Sequence, residues 1–190
     1  MKDALTGPQK KILLDFARHT ISSRFNQGED FADISKEMVF QKKSATFVTL
    51  KIAEKLRGCI GQLEPVSSLW ESVRDNALSA AFHDHRFPPL KQKELEKVRL
   101  DISILSSPSL IEYTDADDLL RKLQPGVDGV ILSDGGSGAT FLPQVWSQLP
   151  DPELFLDHLC QKAGLPPTLW KTEHPDILIY QVQCFEEDKR

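Results

Sequence analysis

Ala45-Thr46-Phe47-Val48-Thr49-Leu50-Lys51-Ile52 runs through the short polar stretch Ala53-Glu54-Lys55 into Leu56-Arg57-Gly58-Cys59-Ile60-Gly61-Gln62-Leu63. The first segment is rich in β-branched and aromatic residues, the composition of a packed strand. The connection is far too short for a helical crossover, so residues 56–63 return as the hairpin partner. Pro65 ends that second strand. Val98-Arg99-Leu100-Asp101-Ile102-Ser103-Ile104-Leu105 alternates apolar with polar residues, the period of a half-buried strand. Gly129–Leu132 and Ala139–Leu142 flank Ser133-Asp134-Gly135-Gly136-Ser137-Gly138, a hairpin with a glycine-rich turn. Ile177-Leu178-Ile179-Tyr180-Gln181-Val182 is a last strand.

Helices fill the intervals. Thr6, Pro8 and Gln9 form a capping box with proline in the first turn, and Ile12, Leu13, Phe16, Ala17, Thr20 and Ile21 follow as a helical stripe. Residues 26–35, with Asn26, Gly28, Glu29 and Asp30, read as a loop. Ser68 and Glu71 form a second capping box ahead of Leu69, Val73, Ala77, Ala80 and Ala81, a face of mostly small residues suited to close packing on a sheet. That helix stops before Pro88-Pro89. A short helix starts at Thr114 or Asp115 and carries Leu119, Leu120 and Leu123. Asp151 and Pro152 open another, with Phe155, Leu159, Cys160 and Ala163 inward and Gly164 at its end. Hairpins and helical excursions, without regular β-α-β alternation or a dinucleotide fingerprint, give an α+β fold: antiparallel sheet with helices packed on it.

The 190 residues suffice for one domain, or one domain with two lobes. With 40% hydrophobic and 27% charged residues the chain has a globular composition, and no stretch approaches the roughly 20 apolar residues of a spanning helix. Met1-Lys2-Asp3-Ala4 leads directly into a polar helix pattern with no signal-peptide core. Three cysteines in unrelated contexts, without Cys-x-x-Cys spacing, point to a reducing cytoplasm rather than a disulfide framework. The net charge of −5 argues against general nucleic-acid binding, which depends on Lys and Arg neutralising phosphates.

Three segments could carry chemistry. In an extended strand Arg57 and Cys59 share a face, with clearance at Gly58 and Gly61 for a ligand or another backbone. A guanidinium beside a thiol favours the thiolate, so Arg57 would hold an anion and Cys59 attack it. Judged by residue type alone, Cys59 as a small buried hydrophobe is the commoner case. In His83-Asp84-His85-Arg86-Phe87-Pro88-Pro89, His83 and Asp84 are candidate acid/base groups and Arg86 a bidentate anion ligand. The remaining histidines (His19, His158, His174) are scattered, so no metal site is expected, and nothing calls for a cofactor. In Ala139–Trp146, Thr140 and Gln144 offer neutral hydrogen bonds and Trp146 a stacking surface, although Phe141 and Trp146 also suit a core. The glycine turn lacks the ending of a P-loop, and no Gly-x-Ser-x-Gly elbow is present. Cys160 and Cys184, on apolar patterns, read as structural.

Taken in order, Phe47-Val48-Thr49-Leu50, Leu56-Arg57-Gly58-Cys59-Ile60-Gly61, Asn76-Ala77, Ala80-Ala81-Phe82, Arg86-Phe87-Pro88-Pro89-Leu90, Gly129–Leu132, Thr140-Phe141-Leu142-Pro143-Gln144-Val145-Trp146, Leu159–Leu165 and Trp170 resemble the AMMECR-domain family, protein A of the AmmeMemoRadiSam system. The likeness covers nearly the whole chain. Its most specific parts are Arg-Gly-Cys-Ile-Gly and Leu-Pro-Gln-Val-Trp. His85 departs from the family pattern, in which proline or a small residue precedes Arg-Phe-Pro-Pro. The resemblance implies a two-lobed fold, with a larger lobe over 1–107 and 171–190 and a smaller β-containing lobe over 108–170, and with Arg57 and Cys59 facing the cleft between them. It also implies partners, a Memo-type protein and a radical SAM protein, and no particular reaction. A small anionic ligand fits Arg57 and Arg86. A thiol-dependent enzyme using Cys59 is the alternative, and an RNA-binding module a weaker one.

Overall fold

The computed structural model describes residues 4–25 and 31–188. Met1-Lys2-Asp3, and Asn26, Gly28, Glu29 and Asp30 of the expected loop, lie outside the described residues. The fold is α+β with antiparallel sheet, and it divides into two units, 1–105 with 183–190 and 106–182.

In the first unit, α1 (Gly7–Ser22) begins at the expected capping box of Thr6 and Gln9. A 3-10 turn at Ile34–Lys36, capped by Asp33, and the short α2 (Met38–Gln41) follow, and they bury Ile34 and Phe40. The sheet then forms from β1 (Ala45–Ile52) and β2 (Lys55–Gly61), is covered by α3 (Leu69–Phe82) and gains β3 (Val98–Leu105) on the far side of β1. β1 lies between β2 and β3, antiparallel to both, so β2 is the outer strand. Alternation sends Val48, Leu50, Leu100 and Ile102 toward α1 and α3, where they meet Leu13, Ala17, Val73, Ala77 and Ala80, all nearly fully buried. Burying that much apolar area is the main stabilisation of the unit. The C-terminal tail is tied in by Glu187, which pairs with Arg18 on α1 and accepts the Leu100 amide at 3.0 Å.

Two local contacts shape the β1–β2 hairpin. Ile52 pairs with Lys55, leaving Ala53 and Glu54 as a two-residue turn with φ of 49° and 63°. That left-handed turn matches the twist of the strands, and Asn-Gly is the usual occupant. Here Glu54 spends its side chain on Arg99 of β3, at 2.5 Å. Further along β2, a Cβ on Gly58 would lie 2.1 Å from the Ala80 carbonyl oxygen of α3. The clearance expected opposite Gly58 is therefore filled by helix backbone. At Gly61 the same space is taken by the Phe47 ring and the Thr46 carbonyl, at 2.3 and 2.4 Å.

The second unit holds β4 (Ser109–Leu110), α4 (Ala116–Lys122), the hairpin of β5 (Asp128–Asp134) and β6 (Ser137–Phe141), α5 (Pro152–Lys162), α6 (Leu169–Thr172) and β7 (Asp176–Glu186) as far as Val182. Its strands order as β4-β7-β5-β6, all antiparallel. Residues 171–182, expected with the larger lobe, belong here because Asp176–Gln181 ladder onto β5. That pairing is non-local and leaves no mark in the strand's own pattern. Asp115 and Asp151 cap their helices as expected, and Gly135 and Gly136 turn the hairpin with φ of 54° and 88°. Trp146 is buried, stacks on Phe155 at 3.7 Å and donates its indole N–H to the Asp128 carbonyl at 2.7 Å. Its ring is thus core, and so is buried Cys160. Cys184, expected to be packed, is exposed beside Ser103 in the first unit.

Replacing Ala53 with Gly relieves a left-handed residue and is expected to stabilise the protein by about 1 kcal/mol in urea titration. Gly58→Ala drives a methyl into backbone that cannot yield cheaply. It is expected to destabilise by about 2 kcal/mol or more in the same measurement.

Candidate functional site

The site grows from the end of α3. His83 caps that helix, its amide bonded to Ser79. The chain then turns, with Phe87 N–H donating to the Asp84 carbonyl and Leu90 N–H to that of Ala81. The turn brings Asp84 against β2 at Cys59. Asp84 Oδ2 accepts the Cys59 amide at 2.9 Å and Arg86 Nη2 at 2.7 Å. Oδ1 accepts the Arg86 amide at 3.1 Å and Nε at 2.9 Å. Arg86 Nη2 also donates to the Cys59 carbonyl at 3.0 Å. Both polar groups of the Cys59 backbone are therefore held by side chains on the open edge of an outer strand. A sheet edge otherwise presents such groups unpaired.

Asp84 is 4% exposed. The Arg86 hydrogen bonds hold its carboxyl far below the usual range against the opposing effect of burial, helped by the Cys59 and Arg86 amides. With all four hydrogen bonds made and its charge retained at neutral pH, Asp84 positions the strand and is unsuited to moving a proton. Because its folded pKa is lowered, its stabilising contribution is present above the ordinary carboxylate range and is lost as pH falls through that range. His83 and His85 both lie exposed on the turn. Among the described residues, no three His, Cys, Asp or Glu side chains gather as a metal site.

Arg57 does not join Cys59. Leu50 pairs with Gly58 while Lys51 pairs with Leu56, so Arg57 is skipped in the ladder. This extra residue breaks the strict alternation on which a shared face depends. The Arg57 guanidinium turns to Glu94, Nε to Oε1 at 2.9 Å and Nη2 to Oε2 at 3.2 Å, and Nη2 also donates to the Pro88 carbonyl at 2.9 Å. Its side chain is only 12% exposed, and Glu94 is held ionised mainly by this bond. Arg57 thus fastens the Pro88 loop and the 3-10 turn at Gln92–Glu94 to the strand, and its guanidinium, expected to hold an anion, is engaged by Glu94 and Pro88. Glu94 went unnoticed in the sequence, its one clue being the Lys91–Glu94 capping pattern.

Cys59 is half-buried, opposite Thr49, whose hydroxyl donates to Sγ at 3.2 Å. Arg86 lies within electrostatic range of this thiol. Arg86 keeps a 48% exposed side chain. Among the described residues, no histidine or carboxylate hydrogen-bonds Sγ. Thr140 and Gln144 belong to the second unit. The Thr140 hydroxyl is engaged there, donating to the Val130 carbonyl at 2.9 Å and lying 3.0 Å from the Tyr180 hydroxyl, while Gln144 is exposed on the 3-10 turn at Pro143–Ser147.

Asp84→Ala removes the acceptor of the Cys59 amide. Hydrogen exchange at that amide is expected to speed by roughly tenfold or more, the factor for losing a charge-assisted hydrogen bond of about 1.4 kcal/mol. The Val48 amide, at the centre of the sheet, serves as the internal reference.

The comparisons with known proteins agree with this architecture. The AMMECR1 family model matches residues 14–185. The chain is 37% identical to Protein MJ0810 of Methanocaldococcus jannaschii over 186 residues, 96% of this chain and 92% of that protein. It is 33% identical to Protein MK0488 of Methanopyrus kandleri over 197 residues, 100% of this chain and 93% of that one. The crystal structure of the uncharacterized protein PH0010 from Pyrococcus horikoshii superimposes with a TM-score of 0.75 at 33% identity, covering 93% of this chain and 90% of that one. A family match over this span, with relatives and a solved structure alike from end to end, means that the chain belongs to the AMMECR1 family.

Proposed function

We propose that this chain is an accessory, ligand-binding component of an AmmeMemoRadiSam modification system, and that its recognition face is the Cys59 segment of β2 with Arg86. The observation that carries this reading is the double clamp on the Cys59 backbone by Asp84 and Arg86. A strand edge fixed at both its N–H and its C=O is preorganised, which lowers the ordering cost of binding. Arg86 is the cation left to meet an anionic group, since Arg57 is committed to Glu94. Among the described residues, Arg86 Nη1 makes no hydrogen bond and so remains to donate. The partners that suit this role are a Memo-type protein and a radical SAM protein working in the cytoplasm on a small anionic ligand or a modified group.

Binding is favoured over thiol catalysis by what surrounds the sulfur. A nucleophilic cysteine works with a base within hydrogen-bond reach. Here the thiol is met by a hydroxyl donor, and the Asp84 carboxylate that holds the Cys59 amide carries four hydrogen bonds and stays ionised at neutral pH. The net charge of −5 weighs against RNA as the ligand.

The test is reconstitution with the Memo-type and radical SAM proteins under reducing, anaerobic conditions. Arg86→Ala is expected to weaken association by about tenfold or more, as loss of one charge-assisted contact does. Cys59→Ser, which keeps the backbone clamp, is expected to associate and support turnover. Loss of turnover with association intact in folded Cys59→Ser would establish the thiol enzyme instead.

A further inference from the structure

Asp128 opens β5 in the second unit, and only 1% of its surface is exposed. Its main chain is tightly held: the amide donates to the Gln124 carbonyl at 3.0 Å, and the carbonyl accepts the Trp146 indole N–H at 2.7 Å. Its carboxylate is not. Oδ2 accepts the Gln124 amide at 2.9 Å, whereas Oδ1, the single buried side-chain oxygen so placed among the described residues, makes no hydrogen bond of good geometry, the Gln181 side chain approaching the carboxyl without closing one. A buried polar group left unpaired is costly, and an unpaired charge more so.

The groups that meet the Asp128 carboxyl or its main chain come from three elements, and all are neutral. Gln124 stands on the turn between α4 and β5, Gln181 lies opposite on β7, and Trp146 belongs to the 3-10 turn that follows β6. Neither a cation nor another carboxylate acts on it at close range. The contrast with the other well-held aspartates is sharp. Asp84 has Arg86, and Asp118 has Lys122 and Arg121.

We propose that Asp128 is a proton-binding latch of the second unit, whose neutral carboxyl lets the α4–β5 turn, β7 and the Trp146 segment close on it, and whose ionisation loosens them. Protonation removes the buried charge and turns the orphaned oxygen into a potential O–H donor. Burial pushes this carboxyl above the usual value of 3.8, and the Gln124 amide and the Gln181 side chain offset that only in part. A raised folded-state value means that the contribution to stability is complete below the ordinary carboxylate pKa and is lost as pH rises through the folded one. Because Trp146 is anchored on the Asp128 carbonyl and stacks on Phe155, the segment bearing Gln144 is the first to feel the change. The latch is independent of the Cys59 face.

The experiment compares the full chain with Asp128→Asn in urea unfolding between pH 4 and 8. The near-isosteric amide cannot ionise, so the urea midpoint of the wild type is expected to fall relative to the variant as pH rises. Taking the difference cancels Asp84 and Asp118, whose contributions are lost in the opposite direction. The protection factor of the Trp146 indole N–H, which divides out intrinsic exchange, is expected to fall with pH in the wild type and stay level in the variant. A gap that is constant with pH, or that moves in the wild type's favour, overturns the proposal. Carbon NMR of the wild type alone tests the latch a second time, whatever the variant's folding. The Asp128 carboxyl carbon must titrate above 3.8, and titration at or below that value refutes the latch.

Discussion

The contact between the Ala80 carbonyl and Gly58 sets the geometry of the first unit. A helix normally stands off a sheet by the length of its side chains. Here the bare α-carbon on β2 and the small face of Ala77, Ala80 and Ala81 let backbone meet backbone. That approach brings the end of α3 close to β2, and so within reach of the turn that follows. From it, Asp84 extends one side chain to the Cys59 amide, and Arg86 returns to the Cys59 carbonyl. The Cys59 segment of β2 and the Asp84–Arg86 turn thus form one structure. The turn supplies, as side chains, the donor and acceptor that a neighbouring strand would have offered.

This arrangement explains why so much charge serves so few free contacts. Asp84 is held by four hydrogen bonds and Arg57 by three. The Arg57–Glu94 pairing and the Asp84 carboxylate are largely shielded from water, where charge-assisted bonds are stronger than on the surface. What remains toward solvent at Cys59 is a half-buried thiol, a threonine hydroxyl and the outer part of the Arg86 guanidinium. Among the described residues, no histidine or carboxylate hydrogen-bonds that thiol.

Much of the architecture was legible locally. Capping boxes at Thr6 and Ser68, aspartate caps at Asp115 and Asp151, the alternation of Val98–Leu105 and the paired glycines of the second hairpin all mark their elements through neighbours within a few residues. The Ala53-Glu54 turn carries no such mark, since neither residue favours a left-handed backbone. It was found through its flanking strands, and is held by Arg99 on another strand. The candidate site was legible as a set of segments and not as a set of roles. Cys59, Asp84 and Arg86 do come together, but one extra residue in the β1–β2 ladder removes Arg57 from their company.

Residue pattern alone established the α+β class, the hairpins, the small-residue helix and the family motifs, because backbone propensity and apolar periodicity act over a few neighbours. Tertiary structure decided the rest: Arg57 bound to Glu94, 37 positions away, the Cys59 peptide clamped from Asp84, 25 positions away, and Asp176–Gln181 laddered onto β5. It also decided that Asp128 would be buried with an oxygen unpaired. A charged side chain looks the same in sequence whether it will face solvent, a partner or an apolar wall. Its role is set by what long-range packing brings against it, and that is where the chemistry of this protein was determined.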